Sequence, residues 1–268
     1  MVQGDRYLLP SADFLARFAD LVAVLEADAL AELERSAGAS GTVVAAADTR
    51  ALAVVPKPGK VICVGLNYKS HVAETRRDDS KYPALFVRFA DSLAAHGDTV
   101  LRPDFSERFD WEAELAIVIG RGGRAIPQAR AFDHIAGYAC FNDITVRDWQ
   151  RHTHQWTPGK NFPGTGPLGP WLVTRDEIPD VGALQIESRV NGTVMQHASL
   201  GDLIFTIPVL IDYISRFTPL SPGDVIATGT PGGVGDRREP PLYMKDGDVV
   251  EVEITGLGIL RNRIGTAT

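Results

Sequence analysis

The chain has 268 residues, of which 44% are hydrophobic and 23% are charged, and its formal net charge is −7 at pH 7. This composition is typical of a globular protein with a sizeable core, and the negative charge argues against nucleic acid or an anionic membrane as a partner. The first residues, MVQGDRYLLP, lack the basic-then-apolar layout of a signal peptide, and no apolar run is long enough to span a membrane. We therefore expect a cytoplasmic protein. Cys63 and Cys140 lie in apolar runs, so we expect buried reduced thiols.

The first part of the chain is predicted to be helical. Ser11 is a suitable N-cap, and apolar side chains recur near helical spacing over residues 11–36. A small-residue loop follows, and Pro56–Gly59 marks a change of character. We therefore divide the chain into a small N-terminal segment, residues 1–55, and a main domain, residues 56–268.

The main domain is predicted to contain many short strands and few helices. Asn191–Gly192 lies between two strand-like runs and predicts a hairpin, and Asp246–Gly247 precedes an alternating strand. Strands are expected at 61–66, 114–120, 171–174, 185–190, 224–229 and 249–255, and helices at 127–136, 144–153 and 202–217. This pattern favours an all-β or α+β roll, and no dinucleotide-binding glycine motif is present.

Two glutamates begin one of these strands, in the stretch FDWEAELAIVIG at 109–120. Glu112 and Glu114 would lie on one side of the strand, roughly 7 Å apart, which is costly without a cation between them. Asp143 follows another predicted strand. Three carboxylates without histidine or cysteine favour Mg²⁺ or Mn²⁺, with Ca²⁺ as a further candidate. The alternative is a solvated strand edge whose acids pair with arginines, and the candidates are Arg102, Arg108 and Arg147.

Three further segments could carry chemistry. In a helix, His71 and Glu74 would share a face, and the carboxylate would make the imidazole a general base; otherwise both face water. Lys160 is either a loop charge or an ammonium directed at a substrate anion. The glycine-rich stretch TGTPGGVG at 228–235 either binds a carboxylate or phosphate through its N–H groups or is a plain turn. His152 and His154 are interpreted as a polar helix end.

Together and in this order, the segments resemble the fumarylacetoacetate hydrolase family. The resemblance covers about residues 56–264 and is carried by KVICVGLNYKSHVAE (60–74), FDWEAELAIVIG (109–120), GYACFNDITVRDWQ (137–150), GKNFPGTGPLGPWLV (159–173) and SPGDVIATGTPGGVG (221–235). It implies an α+β, mostly β fold: a mixed β-sandwich roll with short peripheral helices, in a homodimer.

The resemblance also implies roles for individual residues. Glu112, Glu114 and Asp143 match the family's ligands of a divalent metal, here Mg²⁺, with Mn²⁺ or Ca²⁺ as alternatives. His71 and Glu74 match its catalytic pair, on a segment that closes over the site. Lys160 matches a catalytic, substrate-contacting residue, and Arg147, Gln150 and Thr230 match substrate contacts. Apart from the resemblance, four aromatic side chains are candidates to line the substrate pocket and could equally be core: Tyr68, Trp111, Trp149 and Trp156.

The implied reaction is the hydrolysis of a C–C bond in a small 2,4-dioxo carboxylate, such as an acylpyruvate, in aromatic compound catabolism. The alternative is metal-dependent decarboxylation or isomerisation of a 2-oxo diacid, and a less favoured one is carboxylate binding without turnover. Gly232 and Gly166 stand where many relatives carry lysine and cysteine, and this leaves the substrate open. The charged run at 76–81 is expected to be a solvated loop.

Overall fold

The computed structural model describes residues 1–75 and 80–267. Arg76–Asp79, most of the predicted charged loop, lie outside the described residues. The N-terminal segment contains three short helices between short strands. Its elements are β1 (Val2–Gln3), β2 (Arg6–Leu8), α1 (Ala12–Arg17), α2 (Leu21–Glu26), α3 (Leu30–Ser40) and β3 (Val43–Ala45).

Residues 11–36 are largely helical, as predicted, but they form three separate helices and not one continuous helix. Ser11 caps α1 as predicted, because its hydroxyl accepts a hydrogen bond from the Phe14 N–H. However, the Asp20 carboxylate accepts from the Ala23 N–H at 2.9 Å and so starts a second helix. Asp28 then adopts a φ of 53°, which is incompatible with helix and separates α2 from α3.

The main domain is built from short strands, as predicted. Its strands are β4 (Val61–Gly65), β5 (Ala84–Arg88), β6 (Leu93–Ala94), β7 (Thr99–Arg102), β8 (Phe109–Asp110), β9 (Ala113–Ile119), β10 (Ile135–Asn142), β11 (Thr145–Val146), β12 (Gly166–Thr174), β13 (Gln185–Val190), β14 (Thr193–Ser199), β15 (Val225–Ala227), β16 (Val249–Ile254) and β17 (Gly258–Thr266). Its helices are α4 (Lys69–Thr75), α5 (Arg147–Gln150), α6 (Thr157–Lys160) and α7 (Ile207–Phe217).

The predicted helices are shorter than expected. The segment 127–136 forms a 3₁₀ helix, Gln128–His134, and 144–153 contains only the four-residue α5 after a short strand. The helix expected at 202–217 is present as α7, which begins only at Ile207. No helix within the described ranges is long and apolar enough to cross a membrane.

The strands form two main sheets that pack face to face. Within residues 1–75 and 80–267, one sheet has seven strands in the order β5-β4-β15-β9-β10-β12-β6, and another has five in the order β14-β13-β16-β17-β7. Most neighbours are antiparallel; the pairs β4–β15, β6–β12 and β7–β17 are parallel. The mixed, mostly β fold predicted from the sequence is thus confirmed.

Side chains alternate across the seven-stranded sheet, as strand geometry requires. Leu115 and Ile117 of β9 join one core cluster with residues of β13, β16 and α7, whereas Ala116 and Val118 join a second cluster on the opposite face. Leu25 of α2 packs in that second cluster. Helix α2 therefore buttresses the outer face of the sheet.

The predicted hairpin at Asn191–Gly192 is confirmed. Both residues have positive φ, 52° and 78°, which is the requirement of a type I′ turn. The turn joins β13 to β14, and Val190 is paired with Thr193. This register places Gln196 of β14 in the interior, where it is 1% exposed.

Candidate active site

The three predicted metal ligands lie at one end of two neighbouring strands. Strands β9 and β10 are antiparallel, and Ala113 is the register partner of Asn142. Glu112 immediately precedes β9 and Asp143 immediately follows β10, so the two residues are adjacent, and the Asp143 N–H donates to the Glu112 carbonyl at 2.9 Å. One carboxylate oxygen each of Glu112, Glu114 and Asp143 lies within 4.8 Å of the others, and all three residues are buried.

Cationic side chains surround this cluster. The Lys160 ammonium donates to Glu112 Oε2 at 2.7 Å and to Asp143 Oδ2 at 2.5 Å. Arg147 Nη2 lies 2.7 Å from Glu112 Oε1 and 2.7 Å from Asp110 Oδ2. The alternative interpretation of the sequence was a solvated strand edge whose acids pair with arginines. Arg147 does pair with the acids, but both it and the acids are buried and not solvated.

A third cation, Arg88, lies 3.0 Å from Asp143 through its Nε. Four buried carboxylates therefore face three buried cations, since Asp110 joins the predicted three acids. Glu114 forms no ion pair with the residues that the structure describes, and its Oε2 accepts a hydrogen bond from the Gly229 N–H at 3.0 Å.

The pKa values reflect this arrangement. Burial alone would raise the pKa of Glu112, but Lys160 and Arg147 lower it to about 2. Burial, Asp143 and Glu112 raise the pKa of Glu114 well above its ordinary value. Burial would lower the pKa of Lys160, but Asp143 and Glu112 outweigh it and raise that pKa. Lys160 therefore stays charged, and Glu114 is the acid that lacks a cation.

The residues present fit a divalent cation. The donors are carboxylates, which suit Mg²⁺, Mn²⁺ or Ca²⁺ better than zinc. Asp143 Oδ1 is buried and forms an ion pair with Arg88 Nε at 3.0 Å but accepts no hydrogen bond from the described residues, so a lone pair is available there. Added positive charge would also offset the mutual repulsion that raises the pKa of Glu114.

His71 and Glu74 lie on one face of α4, as the i, i+3 spacing predicts. His71 Nδ1 is 2.6 Å from Glu74 Oε1, and the second oxygen of Glu74 accepts from the Gly233 N–H at 2.8 Å. Because Nδ1 faces the carboxylate, Nε2 is the nitrogen that remains to exchange a proton. His71 also lines the cavity next to the acid cluster.

Thr230 lies in the glycine-rich loop after β15, and its orientation is fixed by Gln196. The Gln196 amide N–H₂ donates to Thr230 Oγ1 and to the Pro231 carbonyl, each at 2.8 Å. The amide oxygen accepts from the Ala113 N–H at 3.0 Å and from the Ser188 hydroxyl at 2.8 Å. Since Thr230 Oγ1 accepts from Gln196, its own hydrogen remains free to donate to a bound carboxylate.

These groups surround a cavity of about 320 Å³. Seven of the predicted site residues line it: His71, Glu112, Glu114, Arg147, Gln150, Lys160 and Thr230. Glu74 and Asp143 contact these residues from behind the wall. Tyr68 does not line the cavity; it is 0% exposed and packs in the core, so the prediction of a pocket-lining role is wrong. Trp156 does line it and packs edge-on against Phe86.

Several site residues were missed from the sequence. Asp110 alternates with the two glutamates in DWEAE, and this spacing was a usable signal. Arg88 ends the apolar run ALFVR (84–88), an unusual place for a charge that ends up 2% exposed. His154, interpreted as a polar helix end, lines the cavity together with Arg151, Asp236 and Arg237.

Comparison with known proteins identifies relatives of this chain. The family model described as fumarylacetoacetate (FAA) hydrolase C-terminal matches residues 60–265. The chain is 44% identical over 215 residues to oxaloacetate tautomerase FAHD2A, mitochondrial, of Bos taurus, which is 80% of this chain and 68% of that protein.

Solved structures show the same fold. The 5-carboxymethyl-2-hydroxymuconate delta-isomerase of Mycobacterium smegmatis superimposes with a TM-score of 0.75 at 36% identity, covering 85% of this chain and 84% of that one. The maleylpyruvate hydrolase of Sphingobium sp. SYK-6, solved with manganese(II) and pyruvate, gives 0.84 at 26% identity, covering 100% and 96%. The chain belongs to the fumarylacetoacetate hydrolase family.

Proposed function

We propose that the protein is a divalent-metal-dependent tautomerase or isomerase of a 2-oxo dicarboxylate of the oxaloacetate class. The observation that carries the proposal is the His71–Glu74 pair, 2.6 Å apart, beside a buried carboxylate cluster in a cationic cavity. Keto–enol interconversion needs one group that moves a proton and a surrounding charge that stabilises the enolate. The 44% identity to an oxaloacetate tautomerase supports this alternative over the C–C hydrolysis first expected from the sequence.

The side chains suggest a division of roles. The Thr230 hydroxyl donates to the substrate carboxylate next to the 2-oxo group, and Arg147 and Lys160 offset the substrate's negative charge. A divalent cation held by Glu112, Glu114 and Asp143 would supply Lewis-acid stabilisation of the charge that develops on the 2-oxo oxygen.

His71 performs the proton transfer. Its Nε2 takes a proton from C3 as the C3–H electron pair forms the C2=C3 bond and the C2=O π pair moves onto the C2 oxygen. The imidazolium then returns the proton to that oxygen to give the enol. Glu74 stabilises the imidazolium through Nδ1. Water is neither consumed nor released, and the reverse sequence gives the keto form.

Hydrolysis of a C–C bond is the second candidate function. The structural likeness to a maleylpyruvate hydrolase supports it, since that structure covers 100% of this chain. The same dyad could activate a water molecule for attack on a distal carbonyl. In that case, the role in aromatic compound catabolism implied by the sequence resemblance would apply.

The test is a substrate panel on the Mn²⁺-loaded protein: oxaloacetate, acetylpyruvate, fumarylpyruvate and a hydroxymuconate-type enol. Ultraviolet loss of the enol is followed together with CO₂ release and cleavage products. We expect enol loss from oxaloacetate or the hydroxymuconate without cleavage or CO₂, and we expect EDTA to abolish it. Faster cleavage of an acylpyruvate would establish the hydrolase, CO₂ in equal amount to enol lost would establish a decarboxylase, and full activity after EDTA would remove the metal from the reaction.

Location, assembly and domain division are proposals of the same kind. We propose a homodimer acting on a free small molecule in the cytoplasm, with residues 1–55 as a segment distinct from the catalytic domain. The tautomerase relative is named as mitochondrial, so location is to be tested by fractionation. Sedimentation at equilibrium tests the dimer.

A further inference from the structure

A second charged group lies at the cavity, next to the acid cluster, since the Asp236 N–H donates to Asp110 Oδ2 at 3.0 Å. Asp236 and Arg237 belong to the 3₁₀ turn Gly235–Arg237, and Arg151 directly follows α5. The Asp236 side chain is 4% exposed and forms an ion pair with Arg151. It also accepts a hydrogen bond from the Tyr243 hydroxyl at 2.9 Å. Asp236 is therefore a fixed part of the wall.

Arg237 is held much less tightly. Its Nε is 3.6 Å from Asp236 Oδ2, beyond hydrogen-bond distance, and its guanidinium makes no hydrogen bond to any residue that the structure describes. Its side chain is 35% exposed and lines the cavity. The next residue, Arg238, differs: it donates to the Met195 carbonyl at 2.7 Å and lies over the Trp111 ring. Of the two neighbouring arginines, Arg238 is structural and Arg237 has its donors available.

Charge at this end of the cavity favours an anion. Arg151 and Arg237 contribute two positive charges against the single carboxylate of Asp236. A guanidinium with free N–H groups matches a carboxylate in a two-point geometry. The carboxylate next to the 2-oxo group is already assigned to Thr230, so the surplus charge suits a second acidic group on the same molecule.

We propose that Arg237, supported by Asp236 and Arg151, is the subsite for the distal carboxylate of a 2-oxo dicarboxylate. This inference rests on the proposed function, which places the carboxylate next to the 2-oxo group on Thr230. Arg237 is then the residue that makes the protein bind dicarboxylates more tightly than monocarboxylates of equal length.

The test compares Arg237→Gln with Arg124→Gln, a control that removes an exposed cation outside the cavity. Calorimetry on the Mn²⁺-loaded proteins measures the affinity for two matched pairs, oxaloacetate with 2-oxobutanoate and 2-oxoglutarate with 2-oxopentanoate. We expect the wild type and the control to prefer at least one diacid about tenfold, the value of one charge-assisted contact. Arg237→Gln should lose that preference and bind the monoacids unchanged.

Kinetics supply the second readout. With oxaloacetate as substrate, Arg237→Gln should raise KM about tenfold and leave kcat nearly unchanged, because the contact is equally present before and during proton transfer. Equal weakening of diacids and monoacids, or no preference in the wild type, would overturn the subsite. The binding measurement does not depend on turnover, so the two proposals can fail separately. If diacid preference depends on Arg237 but no tautomerisation occurs, the proposed function is rejected and the subsite is kept. If tautomerisation occurs but diacid preference does not depend on Arg237, the subsite is rejected and the proposed function is kept.

Discussion

Arg88 and Asp143 form an ion pair in which the charged atoms lie 3.0 Å apart and both side chains are 0% exposed. Arg88 is fixed from its other side as well, since Nη2 donates to the carbonyls of Ile144 and Thr165, each at 2.9 Å. A Cβ atom at Gly166 would lie 2.7 Å from Arg88 Nη1. The glycine, found where many relatives are expected to carry cysteine, therefore leaves the space that this arginine occupies.

We expect Gly166→Ala to weaken Mn²⁺ binding about tenfold, because displacing Arg88 frees Asp143 from its orientation, an effect typical of groups that support metal ligands. Arg88→Lys should also weaken Mn²⁺ binding. Adding Gly166→Ala to Arg88→Lys should reduce the Mn²⁺ affinity little further, because lysine lacks the Nη1 atom that would clash with the new Cβ. Electron paramagnetic resonance on metal-free protein titrated with Mn²⁺ measures all four proteins. Additive losses in the double variant would show that the two positions act separately.

Replacing the proton carrier should separate chemistry from metal binding. His71→Asn keeps a polar side chain at this position and removes the base, so we expect proton transfer to slow about 10²-fold or more with Mn²⁺ affinity unchanged. Glu74→Gln, which keeps a hydrogen bond to Nδ1 but not the charge, should have a smaller effect. Proton–deuterium exchange at C3 of 2-oxobutanoate, followed by NMR, reports the step directly. Unaltered exchange in His71→Asn would exclude the pair from the reaction.

Gln196 should act through Thr230. Gln196→Glu keeps an oxygen for the Ala113 N–H but lacks the N–H₂ that holds the Thr230 hydroxyl. We expect KM for the 2-oxo acid to rise about tenfold, the cost of one misplaced hydrogen bond to a charged group. In a Thr230→Val background the same change should have little effect on KM. The double-mutant cycle measures this, and an equal rise in both backgrounds would assign Gln196 a purely structural role.

Asp236 should contribute a pH-dependent part of the stability. Burial alone would raise the pKa of its carboxyl, but Arg147, the Tyr243 hydroxyl and Arg151 outweigh burial and lower that pKa. A folded-state pKa below the unfolded value stabilises the protein above the unfolded pKa, about 3.9, and the stabilisation disappears as the pH falls through the folded value. Asp236→Asn should therefore lower the free energy of unfolding at pH 7. The difference in free energy of unfolding between the variant and the wild type should become smaller below about pH 5. Urea unfolding from pH 7 to pH 3 tests this; a constant gap would contradict it.

Local patterns predicted much of the fold. Apolar runs bounded by turn residues located the strands, and Asn191–Gly192 specified its turn because few other residues adopt positive φ so readily. The prediction of one helix over 11–36 was wrong because apolar spacing does not detect a single residue, such as Asp28, whose positive φ ends a helix. Periodicity reports which side chains are buried, and it is insensitive to a single residue that changes the chain direction.

The site was predictable where its residues are close in sequence or carry an unusual charge pattern. Glu112 and Glu114 could be assigned because two acids at the start of an apolar strand require an explanation. Gln196 could not be assigned, because its importance arises from a contact with a residue 34 positions away. Arg88 carried only the signal of a charge at the end of an apolar run, and its partner Asp143, 55 positions away, could not be identified from that signal. Tyr68 shows the opposite error: an aromatic side chain beside a site motif belongs to the core.

The bond between Glu74 and the Gly233 N–H has a consequence for selectivity. A second bond, from the Gly232 N–H to the Ser70 hydroxyl at 3.1 Å, joins the start of α4 to the same loop. The loop that holds Thr230 is thereby attached to the helix that carries the imidazole. In the proposed reaction, an acid bound to Thr230 and the imidazole of His71 would be held by one connected unit, so the carboxylate would fix where C3 stands relative to the base. A ketone without a carboxylate lacks this connection, and we expect its deprotonation to be slow even when it enters the pocket.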